Sequence, residues 1–207
     1  TGRRARLARA AGARAIRDHA QIAWNVCYVA AEDDRDCRTL VESGDYGWWY
    51  TLLAPGRRRI AGFVAGQGRT VVPMRSAADF AAQLARTSHV RERLRGARLL
   101  GEPRAADASG THLDEAAAPG WLAVGDAALA FDPLSSQGLF NALYTGMQGA
   151  RAVLANMPEQ YVARLAAIRA AYSRQRTALM AVRHRPGDAD TRNVGGKPAP
   201  EMQRVRE

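Results

Sequence analysis

Apolar and polar positions change period along this chain, and the local period predicts the element. From Ala20 to Ala31 the residues Ile22, Trp24, Val26 and Tyr28 fall on one face, the period-2 pattern of a half-buried strand. This run follows an Arg-rich opening, as a signal peptide would, but Gln21 and Asn25 interrupt it and the alternation predicts a strand over 21–30. The opening itself, residues 3–17, reads as a short basic helix. Glu32, Asp33, Asp34 and Asp36 read as a solvated turn before another helix, since they lack the Gly and the spaced oxygen ligands of a cation loop. Asp45 to Ala54 and Arg58 to Ala65 are aromatic or aliphatic runs separated by Pro55-Gly56-Arg57, a β-hairpin signature.

After Pro73 the spacing of Phe80, Leu84, Val90 and Leu94 predicts two short helices across 76–95, followed by a strand near Arg98 to Gly101. Pro103 to Gly120 is rich in Ala, Asp, Gly and Pro and reads as irregular chain, a crossover between domains. Trp121 to Val124 predicts a short buried strand. A helix starts near Gly138 with Leu139, Leu143, Met147 and Leu154 at helical spacing, Tyr144 and Met147 counted toward its core, and Pro158 ends it. A second helix, from about 159 to 183, carries Tyr161, Leu165, Ile168, Tyr172 and Leu179. The Gly-, Pro- and charge-rich residues 185–207 are expected to be disordered.

Composition narrows the function classes. At 207 residues with 47% apolar positions the chain has enough material for a core. The net charge of +10 invites a nucleic-acid reading, yet Lys197 is the only lysine and the arginines are spread along the chain, so nucleic acid is not the expected partner. Cys27 and Cys37 have no zinc-like neighbours and suit reduced thiols in a cytoplasm; no metal is expected. The longest charge-free stretch, 133–150, is interrupted by Ser135, Ser136, Gln137, Asn141, Thr145 and Gln148 and predicts no membrane span. The chain opens on Thr-Gly, from which residue 1 is expected not to be the start of the biological protein. His19, His89, His112 and His184 lie near no Ser or Cys nucleophile motif and read as surface or structural residues.

The chemically informative stretch is 121–146. A strand ending at Gly125-Asp126 would deliver a carboxylate to a sheet edge, where it suits hydroxyl donors. Twelve residues later Gly138 opens a helix whose unpaired N–H groups favour an anion or a carbonyl-rich ring. The sequence Gly125-Asp126-Ala127-Ala128, then Asp132-Pro133 and Gly138, resembles the second flavin-binding motif of FAD-dependent monooxygenases and flavin-dependent (tryptophan) halogenases. Thr1-Gly2-Arg3 is similar to the end of that family's Ala-Thr-Gly segment, and the hairpin with Gly47-Trp48-Trp49-Tyr50 to its substrate-domain sheet.

That resemblance implies an α/β fold: part of an FAD-binding Rossmann-like domain of the aromatic-hydroxylase type, with an antiparallel substrate sheet (an α+β part) and C-terminal helices. On this reading 1–19 and 106–157 belong to the FAD part, 20–105 to the substrate sheet with its helices, 158–184 to a closing helix and 185–207 to a tail. It assigns FAD as cofactor, with the ribityl chain on Asp126 beside Gly125, Pro133 next to the isoalloxazine, and the amides of Gly138, Leu139 and Phe140 at the ring's N1 and O2 edge. Trp48 and Trp49 are candidate substrate residues, one in the core and the other lining a cavity. A small-molecule or peptide substrate and reduction by NAD(P)H or a flavin reductase are implied.

Two departures limit the match. The chain contains no Gly-x-Gly-x-x-Gly; Gly66-Gln67-Gly68 has Val71 in the third position and reads as a hairpin-end turn. Lys197 lies in the tail and does not match the halogenases' active-site lysine, so halogenation is not carried over. The competing class is a non-catalytic flavoprotein remnant or a basic module acting through protein or nucleic-acid contacts.

Overall fold

The structure is a computed structural model that describes residues 2–44, 46–66 and 74–182, without the side chains of 180–182. Thr1, Asp45, most of the Gly66-Gln67-Gly68 turn and the expected disordered tail lie outside the described residues. In chain order the elements are α1 (Arg6–Ala10), β1 (Ala15–His19), β2 (Gln21–Val29), β3 (Leu40–Gly44), β4 (Gly47–Ala54), β5 (Arg58–Gly66), α2 (Ala77–Leu84), α3 (His89–Arg93), β6 (Arg98–Leu99), β7 (Arg104–Asp107), β8 (Gly110–Leu113), β9 (Ala117–Ala118), β10 (Trp121–Leu122), β11 (Leu129–Ala130), α4 (Gly138–Ala155) and α5 (Pro158–Val182).

The period-2 runs build the larger sheet, ordered β3-β4-β5-β2-β6, with β7 also on the β2 edge and antiparallel pairing throughout. Trp24, Val26 and Tyr28 share one face with Trp49, Ala61, Phe63 and Ala65, and that face is covered by Phe80 and Leu84 of α2, Val90 of α3 and Leu94. Burying this aromatic face supplies the drive that holds the helices on the sheet. The starts of these two helices are fixed. Ser76 and Asp79 form a reciprocal capping box on α2, and the Glu42 carboxylate on β3 accepts from the N–H groups of Ser88, His89 and Val90 at 2.6, 3.0 and 2.8 Å. The Pro55-Gly56-Arg57 loop closes β4 onto β5 with Gly56 and Arg57 at φ +72° and +58°.

The second sheet, β1-β8-β11, is a small antiparallel unit, and β9 and β10 form a separate two-stranded ribbon across Pro119-Gly120. Against it pack α4 and α5, with Ala123, Ala128, Ala152, Tyr161 and Leu165 in one cluster and Leu129, Phe131 and Tyr172 in another.

The basic helix expected over 3–17 stops at Ala10, because Gly12 turns the chain at φ +102° and Ala15–His19 finds a long-range strand partner in β8. The acidic turn leads into β3 rather than a helix. It is also not merely solvated: the Asp34 carboxylate accepts from Nε and Nη2 of Arg59 at 2.5 and 2.8 Å, and the Arg59 side chain is 0% exposed. Asp36 pairs with Arg38 and Arg93. The irregular stretch 103–120 contains β7, β8 and β9, short strands created by partners far away in sequence.

The face of α4 that periodicity assigned to the core is outside. Leu139, Leu143, Met147 and Leu154 are exposed, and Asn141, Thr145, Gly149 and Ala152 are buried. Small and hydrogen-bonding side chains win this face because the ribbon lies so close. A Cβ on Gly149 would meet Leu122 Cδ1 and Val124 Cγ1 at 2.9 Å, and Asn141 Nδ2 donates to the Leu129 carbonyl at 2.9 Å. Helix α4 ends at Asn156 in the left-handed region, and Pro158 opens α5.

Candidate functional site

The ribbon β9-β10 delivers the chain to a 3-10 turn, Gly125–Ala127, that carries Asp126. Gly125 has φ +59°, and a Cβ there would stand 3.3 Å from the Ala142 Cβ on α4. Its N–H donates to Thr145 Oγ1 at 2.8 Å, and that hydroxyl donates to the Asn141 carbonyl at 2.6 Å. The Tyr161 hydroxyl donates to the Ala123 carbonyl at 2.7 Å, and burial pushes its pKa up to about 12. The turn is therefore tied to both α4 and α5. Substituting Gly125 with Val is expected to destabilise the fold by about 1–3 kcal/mol through strain at positive φ and crowding of Ala142, read as a lowered thermal midpoint.

Asp126 is partly exposed. Its Oδ2 lies 3.8 Å from Arg3 Nε, and among the described residues no hydrogen bond uses its carboxylate oxygens. Arg3 is oriented independently, with Nη1 and Nη2 donating to the carbonyls of Ser109 and Phe131 at 2.5 and 2.7 Å. The carboxylate is thus a free acceptor held beside a fixed cation.

Six residues on, Asp132 starts a second 3-10 turn, Pro133–Ser135; Ser136 is left-handed at φ +53°, and α4 begins at Gly138. Gln137 makes no side-chain cap, and the first of these amide bonds inside α4 runs from Asn141 N–H to the Gln137 carbonyl at 2.8 Å. The amides of Gly138, Leu139 and Phe140 therefore have no intrahelical acceptor, and all three residues are exposed. The 3-10 turn that carries Asp126 packs against α4, the helix that presents these amides.

The sequence candidates separate on the large sheet. Trp49 lies in the helix-covered core, 4.8 Å from Phe63 and 5.2 Å from Phe80 between ring centres. Trp48 is also buried, but on the opposite face in a cluster with Ala23, Val64 and Ala108, against which Tyr50 and Leu134 of the Pro133 turn pack. Pleating of β4 puts Tyr50 beside Trp48, ring centres 5.5 Å apart, and the Tyr50 hydroxyl donates to Asn25 Oδ1. Neither Tyr50 nor Asn25 is a candidate site residue in the sequence reading, although the i, i+2 relation of Trp48 and Tyr50 is visible there. The Tyr50 phenol is pushed up by burial.

Two histidines sit near acidic groups. His112 Nδ1 is 3.1 Å from Asp18, whose other oxygen accepts from Arg169 at 2.8 Å. His19 Nε2 is 4.0 Å from Asp132, and burial first, then the Arg176 charge, lowers its pKa. Among the described residues no group of three His, Cys, Asp or Glu is arranged to hold a metal ion, and no helix is long and apolar enough to cross a membrane.

The fold is that of flavin-dependent halogenases and related flavoproteins, in the portion this chain spans. The flavin-dependent brominase Bmp2 superposes with a TM-score of 0.66 at 21% identity, over 76% of this chain and 42% of that one. A flavoprotein/dehydrogenase from Cytophaga hutchinsonii gives 0.65 at 16% identity, over 77% and 40%. The peptidyl tryptophan dihydroxylase QhpG, essential for tryptophylquinone cofactor biogenesis, gives 0.56 at 24% identity, over 72% and 38%. The chain therefore spans less than half the length of these structures. No protein-family model and no curated protein matches it.

Proposed function

We propose that this chain is the ring-and-substrate portion of an FAD-dependent oxidoreductase of the monooxygenase- or halogenase-like type. The observation that carries the reading is one arrangement: a carboxylate with unused oxygens at Asp126 and an uncapped helix start at Gly138–Phe140, presented by elements that pack on each other. Asp126 would accept from ribityl hydroxyls, Pro133 would lie against the ring, and the three amides would donate to its carbonyl-bearing edge. When bound, FAD would supply the redox chemistry, with electrons from NAD(P)H or a flavin reductase.

The chain's own residues orient and enclose. Gly125, Thr145 and Tyr161 fix the Asp126 turn, Arg3 holds the local charge balance, and the Trp48–Tyr50 face with Leu134 would border the substrate, a small molecule or a peptide. Residues 1–19 and 106–157 would form the cofactor part and 20–105 the substrate part, closed by 158–182.

Fluorescence titration of FAD with the purified chain tests this reading. Saturable but weak quenching is expected, with the flavin lost on desalting, because no Gly-x-Gly-x-x-Gly loop is present to cradle the pyrophosphate. A flat titration removes the cofactor reading. Stoichiometric flavin retained through desalting removes the claim that ring and ribityl contacts alone hold it.

A further inference from the structure

Asp132 is 2% exposed and sits between three parts of the molecule. Within its own turn, Oδ1 accepts from the Leu134 N–H at 3.0 Å, and its carbonyl accepts from the Ser135 hydroxyl at 2.8 Å. Toward the substrate sheet, Oδ2 accepts from Gln21 Nε2, on the first residue of β2, at 2.8 Å. Toward α5, Oδ2 accepts from Arg176 Nε at 3.4 Å, and the Asp132 N–H donates to the Tyr172 hydroxyl at 2.8 Å. The Tyr172 ring stacks on Phe131 at 4.2 Å, so the residue before Asp132 is clamped as well.

A cap for a three-residue 3-10 turn needs one carboxylate oxygen and no buried charge. The second oxygen, facing Gln21 and Arg176 with His19 Nε2 4.0 Å away, does something else. It joins the turn that leads into the uncapped start of α4 to the strand where the chain enters the large sheet. A buried carboxylate leaves its site expensive to distort, because any shift of the turn strands the charge away from its donors.

We infer that Asp132 is a positioning residue: it sets the place of the Pro133 turn and of the Gly138–Phe140 amides by tying them to Gln21 of the substrate sheet and Arg176 of α5. Its importance for flavin rests on the function proposed above; the tie itself does not. Gln21 and Arg176 touch no atom assigned to the cofactor, so changing them tests the tie from its far ends.

Amide hydrogen exchange on the purified chain reads the result without any ligand. Gln21→Met and Arg176→Met are each expected to speed exchange at Leu134–Ser136 and through the first turn of α4 by about tenfold, with α2 and the β4–β5 ladder unchanged. Asp132→Ala is expected to do more, and the two milder variants keep the test open if it does not fold. Unchanged exchange in both Met variants overturns the inference. Uniformly faster exchange across α2 and β4–β5 also overturns it, since Asp132 would then be a general fold residue. FAD titration of the same variants is a separate arm: if the unsubstituted chain binds no flavin, the functional reading falls while the exchange result on the tie stands. If it binds, weaker affinity in the Met variants, with exchange in α2 and the β4–β5 ladder still unchanged, is the expected signature, and unchanged affinity overturns the link to the cofactor.

Discussion

Replacing Asp34 with alanine should lower the unfolding free energy by about 3–5 kcal/mol, a large share of the roughly 5–15 kcal/mol typical of a domain. The Arg59 side chain points out of β5 into a position with no exposure, where Asp34 takes Nε and Nη2 as a fork and the Asp36 carbonyl takes Nη2 at 2.7 Å. Without Asp34 the guanidinium keeps its charge and loses its counter-ion. The cost is that of an uncompensated buried cation, more than the worth of the pair. The double variant Asp34→Ala, Arg59→Met should recover most of the loss, and urea melts of the three proteins measure it. No recovery would show that the pair acts through packing instead.

The same pair has a pH signature. The Arg59 hydrogen bonds hold the Asp34 carboxyl below its ordinary value, outweighing the opposing effect of burial. A carboxylate depressed in the folded state adds stability that is complete above its unfolded pKa and is lost as pH falls through the folded one. Between about pH 7 and about pH 3, the unsubstituted chain should therefore lose more stability than Asp34→Ala. Equal losses would mean that other carboxylates govern acid unfolding.

Local pattern carried the elements whose partners are near in sequence. The Pro55–Arg57 hairpin, the helices over 76–95 and the long C-terminal helices were legible because alternation, turn chemistry and helical spacing are local signals. The strands β1, β7 and β8 were not, since Ala15–His19 and Arg104–Asp107 are strands by virtue of partners about a hundred and about eighty residues away. Helix α4 shows a different failure. Its apolar stripe is real, but the buried stripe is Asn141, Thr145, Gly149 and Ala152, chosen by close approach and hydrogen bonding, which hydropathy does not register. At the candidate site, Asp126 and the Gly138 helix start were visible as a motif, and Trp48 was separable from Trp49 in principle by strand parity. Asp132 was visible as a residue, but its links to Gln21 and Arg176 span 111 and 44 positions and needed coordinates.

For Asp126→Ala, flavin affinity should fall about tenfold or more while the fold stays intact, the amount expected for losing a charged acceptor of hydroxyl hydrogen bonds. The two effects separate because of how Arg3 is held. At 3.8 Å and partly exposed, the Asp126–Arg3 pair is worth about 0–1 kcal/mol, and Arg3 retains the Ser109 and Phe131 carbonyls when the carboxylate is gone. The backbone of the turn is fixed by Gly125, Thr145 and Tyr161, none of which uses the Asp126 side chain. A thermal midpoint within a few degrees of the parent is expected alongside weaker quenching of FAD. Asp126→Asn, which keeps an acceptor oxygen without the charge, should fall between the two. Riboflavin serves as a control: a ribityl contact predicts that Asp126→Ala weakens riboflavin as much as FAD. Loss confined to FAD would move Asp126 toward the phosphate end of the cofactor, and equal binding by parent and variant would remove it from the site.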